Sequence, residues 1–303
     1  MSRYSARTLI MQPTVANWGK AAAGGGVSYG VATGGIGAAT AVTIGVVNYE
    51  YLTFNSTGSL TVTTEGWFDF VAVGGGGGQR TVPSVGFSAG GGGAGQVVIG
   101  SIYLMAGTET VTIGQGSALF NNTSFSQAGN TSITATSSRS KYQFAFGNLC
   151  SASLGANGTS LAPSISVGGA AGGAYGQASV AVAEDTLWGF RGGDSTANAS
   201  GGGGGGQSAR GGNSSSTTGG AAGAGYDVSA FIGGSELRKA MGGGGGGTVT
   251  AGAAATGGVA GVTTTTANNG NANSGGGGGG ASGATHTAGT GGSGICYIRY
   301  ETS

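Results

Sequence analysis

Three runs of six consecutive glycines, beginning at Gly201, Gly242 and Gly275, constrain this chain more than any other feature; a run of five begins at Gly74. Ordering a hexaglycine costs about 1–2 kcal/mol per residue in backbone entropy, with no side chain buried in return. A net hydrogen bond returns only about 1 kcal/mol, so a single run stays disordered. Several runs side by side behave differently. In the polyproline-II conformation glycine has three residues per turn, and a hexaglycine is about 19 Å long. Its N–H and C=O groups then point outward in three directions, and without Cβ atoms neighbouring rods can approach and pair them. The long runs are pure, alike in length and bounded by strand-like segments, which separates them from linkers of mixed Gly/Ser composition. Collagen is excluded by the missing G-X-Y register and by only three prolines. The expectation is a bundle of polyglycine-II rods, with Gly203, Gly244 and Gly277 inside its longest members.

Around the rods the pattern is β. "VVNYEYLTF" (46–54), "SLTVT" (59–63), "WFDFVAV" (67–73), "GQVVIGSIYL" (95–104) and "ETVTIG" (109–114) read as strands separated by turn signals. "NSTGS" (55–59) divides two of them at hairpin spacing. In "WFDFVAV", Phe68, Phe70 and Ala72 share one face, and Trp67, Asp69, Val71 and Val73 the other. "ICYIRY" (295–300) is a further strand after a long Gly/Ser/Thr/Asn-rich stretch, so that stretch reads as an insertion whose ends meet in a β-scaffold. Only "SELRKAM" (235–241) looks helical, with Ser235 as its cap. The fold class expected is mainly β: a sandwich-like scaffold carrying a polyglycine-II insertion, with little helix. The divisions are an N-terminal docking arm over 1–45, scaffold strands over 46–117, the insertion over 118–290 and a returning strand over 291–303.

Charged residues make up 7% of the chain, where about 25% is usual, and the net charge is +1. Weak self-repulsion favours association, which suits a subunit of an assembly. The balance fits neither a nucleic-acid surface nor an acidic tail. "MSRYSARTLIMQPTV" lacks the apolar core of a secretory signal, and the uncharged stretch 21–49 is too rich in Gly, Ala, Ser and Thr for a membrane helix. Cys150 and Cys296, without an export signal, read as two buried thiols.

Chemistry is sparse. "GFSAG" (86–90) fits a nucleophile-elbow pattern formally, but no helical pattern follows Ser88. The single histidine, His286, cannot serve as both metal cluster and base, and no "GK[ST]" follows a glycine run. Glu184, Asp185 and Asp194 are the one carboxylate cluster; beside a glycosidase pair stands the plainer reading of a turn closed by Arg191 and Asp194. No catalytic, cofactor-binding or metal-binding residue is expected. The segment 224–241 joins two hexaglycines and concentrates Tyr226, Phe231, Arg238 and Lys239, a grouping suited to gripping a sugar or an envelope polymer. The alternative is that Phe231 and Ile232 anchor this loop.

"YLTFNSTGSLTVTTEGWFDFVAVGGGGG", "GGGGAGQVVIGSIYLMAGTETVTIGQGS" and the closing "GGSGICYIRY" resemble the glycine-rich domain of bacteriophage minor tail proteins, common in phages of actinobacteria. The polyglycine region also resembles the tip adhesins of other tailed phages, from which it departs in having fewer, more widely spaced rods. The resemblance implies a virion structural protein of the tail tip, made in the host cytoplasm and active in assembly and host-surface attachment without catalysis. It implies other tail subunits as partners, self-association as a homotrimer, and contact with host envelope polysaccharide. A bacterial glycine-rich surface protein and an envelope-degrading tail enzyme are the alternatives.

Overall fold

The computed structural model describes residues 28–78, 88–117, 128–134, 189–195, 200–283, 287 and 289–302. Its strands are β1 (Val31–Gly34), β2 (Thr40–Ile44), β3 (Val47–Phe54), β4 (Gly58–Thr64), β5 (Gly66–Val73), β6 (Val97–Leu104), β7 (Gly107–Thr112), β8 (Ser132–Thr134), β9 (Tyr226–Asp227), β10 (Arg238–Lys239) and β11 (Ile295–Thr302). One helical turn, α1, spans Ser229–Ile232. A five-stranded sheet has the order β2-β3-β11-β5-β6, a four-stranded sheet the order β1-β4-β7-β8, and β9 pairs with β10. The strand ladders are antiparallel.

The two larger sheets form a sandwich. Alternation along β5 sends Phe68, Phe70 and Ala72 inward, as the sequence pattern requires. They meet Leu52 and Phe54 of β3 and Ile298 of β11 from their own sheet. Leu60, Val62, Val111 and Ile133 close the core from the facing sheet. Cys296 is buried in this core, whereas Cys150 lies outside the described residues.

β5 runs directly into the glycines of 74–78, residues 88–96 run directly into β6, and 289–294 run directly into β11. These three strands are neighbours and alternate in direction, so their glycine extensions leave the same end of the sheet. There they join the hexaglycines in a bundle with almost no apolar side chains. The hydrogen bonds carry the signature of a threefold screw. Gly201 and Gly204 donate to Gly246 and Gly243; Gly203 and Gly206 donate to Gly212 and Ala209; Gly202 and Gly205 accept from Gly91 and Ala94. Each face of this rod thus repeats every third residue and meets a different neighbour, which is the polyglycine-II arrangement. The rod 88–96 repeats the rule: Ala89, Gly92 and Gly95 donate to Ala281, Gly278 and Gly275. Every carbonyl from Gly201 to Gly206 accepts a bond, and the run is fully buried. The mainly-β scaffold with a rod bundle and little helix is therefore what the chain adopts.

Three expectations need correction. Among the described residues the first strand is at Val31, and β2 pairs with β3, so the part of the expected 1–45 arm from Val31 on belongs to the sandwich. The lack of bulky side chains and the surrounding Gly and Ala hid these strands, since β1 and β2 contribute mainly backbone and a single fully buried alanine, Ala32. The division between scaffold and insertion also dissolves, because 74–78, 88–96 and 289–294 belong to the bundle. Finally, residues 235–241 are not helical. Arg238 and Lys239 pair with Asp227 and Tyr226 as strands, and the one helical turn precedes Ser235.

Candidate functional site

The segment 224–241 folds back across the outer face of the five-stranded sheet. Val228 and Phe231 bury themselves against Val71, Val73, Val97, Ile295 and Tyr297. The outer faces of β5 and β11 are thus covered, over their half nearest the rods, by the chain itself. Phe231 is buried, so its ring is turned to the sheet and not offered to a ligand. Tyr226 is partly buried, and burial, followed by the charge of Asp227, raises its hydroxyl above the ordinary tyrosine value. Arg238 donates to the carbonyl of Gly225 and pairs with Glu236. Lys239 donates to the carbonyl of Asn273, and burial pushes its ammonium below the usual lysine value. Phe231, Tyr226 and Lys239 therefore tie the segment to sheet and rods, Arg238 ties it to itself through Gly225 and Glu236, and the outer edges of Arg238 and Tyr226 still reach solvent.

Asp227 shapes the segment. Its carboxylate accepts from the backbone N–H and the hydroxyl of Ser229 and from the N–H of Leu237, joining the start of α1 to the start of β10. Hydrogen bonding to the Ser229 amide, opposed by burial and reinforced by Leu237 and the Ser229 hydroxyl, holds this carboxyl below the usual aspartate value. A carboxyl depressed in the folded state stabilises above its unfolded pKa and loses that contribution as pH falls through the folded one. The protection of the Ser229 and Leu237 amides from hydrogen exchange, relative to the intrinsic rate at each pH, is accordingly expected to fall on acidification below about pH 4, ahead of that of the sandwich amides. In Asp227→Asn the two amides should exchange with no such acid step. An unchanged acid step in that variant would show that another group controls the segment.

Sequence reading missed the residue that pins this segment. Arg299, the lone charge in "ICYIRY", is buried, with its guanidinium 4.4 Å from the Tyr49 ring centroid and 4.1 Å from that of Phe231. It donates to the Phe231 carbonyl at 2.8 Å and to Asp69 at 3.3 Å, and Asp69 also accepts from the Ser101 hydroxyl. The available signal was one charge on each of two otherwise apolar strands, Asp69 in "WFDFVAV" and Arg299 here. Their pairing follows from register, because Asp69 and Arg299 stand opposite each other on β5 and β11.

The remaining candidates separate cleanly. Ser88 is fully buried at the head of a rod, bonded to the Ser282 hydroxyl, and His286 lies outside the described residues. Asp194 is paired with Arg191 at 2.6 Å in a part-buried turn; Glu184 and Asp185 lie outside the described residues. Among the described residues no cluster of His, Cys, Asp and Glu could hold a metal ion, and no helix is long and apolar enough to cross a membrane. At Gly203, Gly244 and Gly277 an added Cβ would stand 1.8, 2.4 and 1.9 Å from a neighbouring rod's carbonyl oxygen.

A β-sandwich prolonged at one end by a polyglycine-II bundle defines a rigid module built on close backbone approach. The chain belongs to the glycine-rich domain family, whose model matches residues 53–301. No curated protein and no solved structure matches it.

Proposed function

We propose that this chain is a structural component of a bacteriophage virion, placed at the tail tip, where it serves assembly and host-surface attachment without catalysis. The observation that supports this reading most is the rod bundle itself. Its rods are fixed to three neighbouring strands of the sandwich, so the loops joining their far ends are carried on a stiff support. Those loops, such as Thr248–Thr250 and Thr263–Thr266, are exposed and rich in threonine. Such a device presents variable surface at a fixed distance from a scaffold and asks little of the loop sequences, which suits host recognition. The resemblance of the strands and first glycine run to minor tail proteins, and the low charge, point the same way.

Mass spectrometry of purified, washed particles tests this. The chain is expected in a fixed ratio to the tail subunits. Its absence there, with recovery in a bacterial envelope fraction, would favour the surface-protein alternative. As a tail subunit it is expected to associate around the tail axis as a homotrimer, measurable by sedimentation at micromolar concentration; a stable monomer would remove the trimer. Replacing Glu184, Asp185 and Asp194 together by alanine is expected to leave infection and envelope integrity unchanged. Loss of a hydrolytic activity in that variant would instead establish the enzyme reading.

A further inference from the structure

The cover formed by residues 226–240 reaches Arg299 on β11 and, through Gly233, Val42 on β2, beside Tyr49, one face of whose ring Arg299 already occupies. Beyond it, on the half of the outer sheet face away from the rods, a row of aromatic rings crosses the strands. Tyr103 of β6 stands opposite Trp67 of β5, their rings edge to face at 5.7 Å. Tyr29 bridges to Trp67 through the backbone and bonds its hydroxyl to Glu301 of β11, and Glu301 stands opposite Tyr49 of β3. Trp67 is 41% exposed, and the three tyrosines are partly exposed. The adjoining row is polar: Ser101, Asp69 and Arg299, bonded to one another.

Two features select the occupant. Arg299 neutralises Asp69, and the one remaining charge, Glu301, accepts from the neutral Tyr29 hydroxyl, so the surface offers aromatic faces and hydroxyls more than charge. The second is size. A buried Trp or Tyr covers about 150–250 Å², so the exposed parts of these four rings amount to on the order of 200 Å². A stable interface with a second protein copy needs about 800 Å² per partner. A narrow, uncharged, polyhydroxylated ligand fits where a protein does not. Pyranose rings present C–H bonds of positive partial charge on one face, which pack on the negative face of an aromatic ring, while their edge hydroxyls reach donors and acceptors alongside.

We propose that the row Tyr103–Trp67–Tyr29–Tyr49 is a binding subsite for a neutral glycan chain, running across the strands with its hydroxyls toward Ser101 and the tyrosine hydroxyls. The subsite does not depend on the tail reading, since a bacterial surface protein would use it in the same way. It is separate from the segment around Tyr226 and Arg238.

Affinity electrophoresis of the full chain tests it, in gels containing soluble starch, dextran, β-glucan, galactomannan or arabinogalactan. Retardation by at least one polymer is expected, and titration with an oligosaccharide of that polymer should give saturable binding. Trp67→Ala should weaken binding about tenfold or more, with Trp67→Phe between it and the parent. Tyr103→Ala probes the same row from the edge strand and decides the matter should Trp67→Ala disturb folding. Tyr226→Ala should bind as the parent does. No retardation in any gel would overturn the proposal, as would binding that survives both Trp67→Ala and Tyr103→Ala. A parent dimer that Trp67→Ala converts to monomer would also overturn it, assigning the row to a second copy of the chain.

Discussion

Gly203→Val and Gly277→Val are expected to lose the native bundle outright. The first Cβ would stand 1.8 Å from the Ala221 carbonyl oxygen and the second 1.9 Å from that of Gly92, and both obstacles are backbone of adjacent rods. Neither can rotate away. Separating the rods by the missing distance breaks hydrogen bonds along a whole face; for Gly203 the obstructing rod is held by Gly220 and Gly223, which donate to Gly201 and Gly204. The cost is expected to exceed about 4–5 kcal/mol, which is comparable with the total stability of many domains. Urea unfolding followed by circular dichroism would register it as a lost or strongly shifted transition. Gly58→Ala is the control: its Cβ would make an ordinary 3.8 Å contact with the Phe54 ring, and a change within about 1 kcal/mol is expected. Valine variants that assemble and melt like the parent would show that the runs are linkers and not packed rods.

Arg299→Ala is the second large effect. The guanidinium is buried between two aromatic rings, neutralises Asp69 and satisfies the Phe231 carbonyl, so removing it strands an acceptor and a part-buried carboxylate together. Breaking a buried pair from one side costs about 3–5 kcal/mol. The loss should be felt first in the cover. Limited proteolysis is expected to cut between Tyr226 and Lys239 in the variant under conditions that spare the parent. Arg299→Lys keeps the charge but lacks the flat fork that stacks on Tyr49 and Phe231 while bonding two partners, so it should fall between them. Equal protease resistance in the alanine variant would mean that Val228 and Phe231 hold the cover unaided.

The strands of the sandwich were legible where bulky residues alternate. In "WFDFVAV" the alternation separates two faces, and the structure keeps that assignment, while "ICYIRY" forms the strand its composition announces. The strands at Val31–Gly34 and Thr40–Ile44 were not legible, because Gly, Ala and Thr dominate them and their contribution is largely hydrogen bonding along the ladder. The segment 224–241 left two readings open for a related reason. Tyr226, Phe231, Arg238 and Lys239 form a cluster that suits a ligand or an anchor equally well, and only the position of Val71, Val73 and Tyr297 beneath them distinguishes the two. The aromatic row was hidden because its members lie at 29, 49, 67 and 103, on elements that only strand pairing brings together.

Glycine content by itself determined that the runs act together. A hexaglycine cannot offset its own ordering, so the pure runs fold side by side or not at all, and the absence of Cβ atoms fixes polyglycine-II packing as the means. Which rod lies beside which was beyond the sequence. One hexaglycine presents the same surface as another, with no side chain to encode a partner or a register. Tertiary structure supplies that information through the strands: β11, β5 and β6 are ordered by their side chains in the sandwich, and they carry 289–294, 74–78 and 88–96 into the bundle already in place. The hexaglycines then pair against 88–96, as Gly91 with Gly202, Gly92 with Gly278 and Gly243 with Gly92 show. Order in the side-chain-rich sheet is thereby transmitted to rods that have no side chains to order themselves.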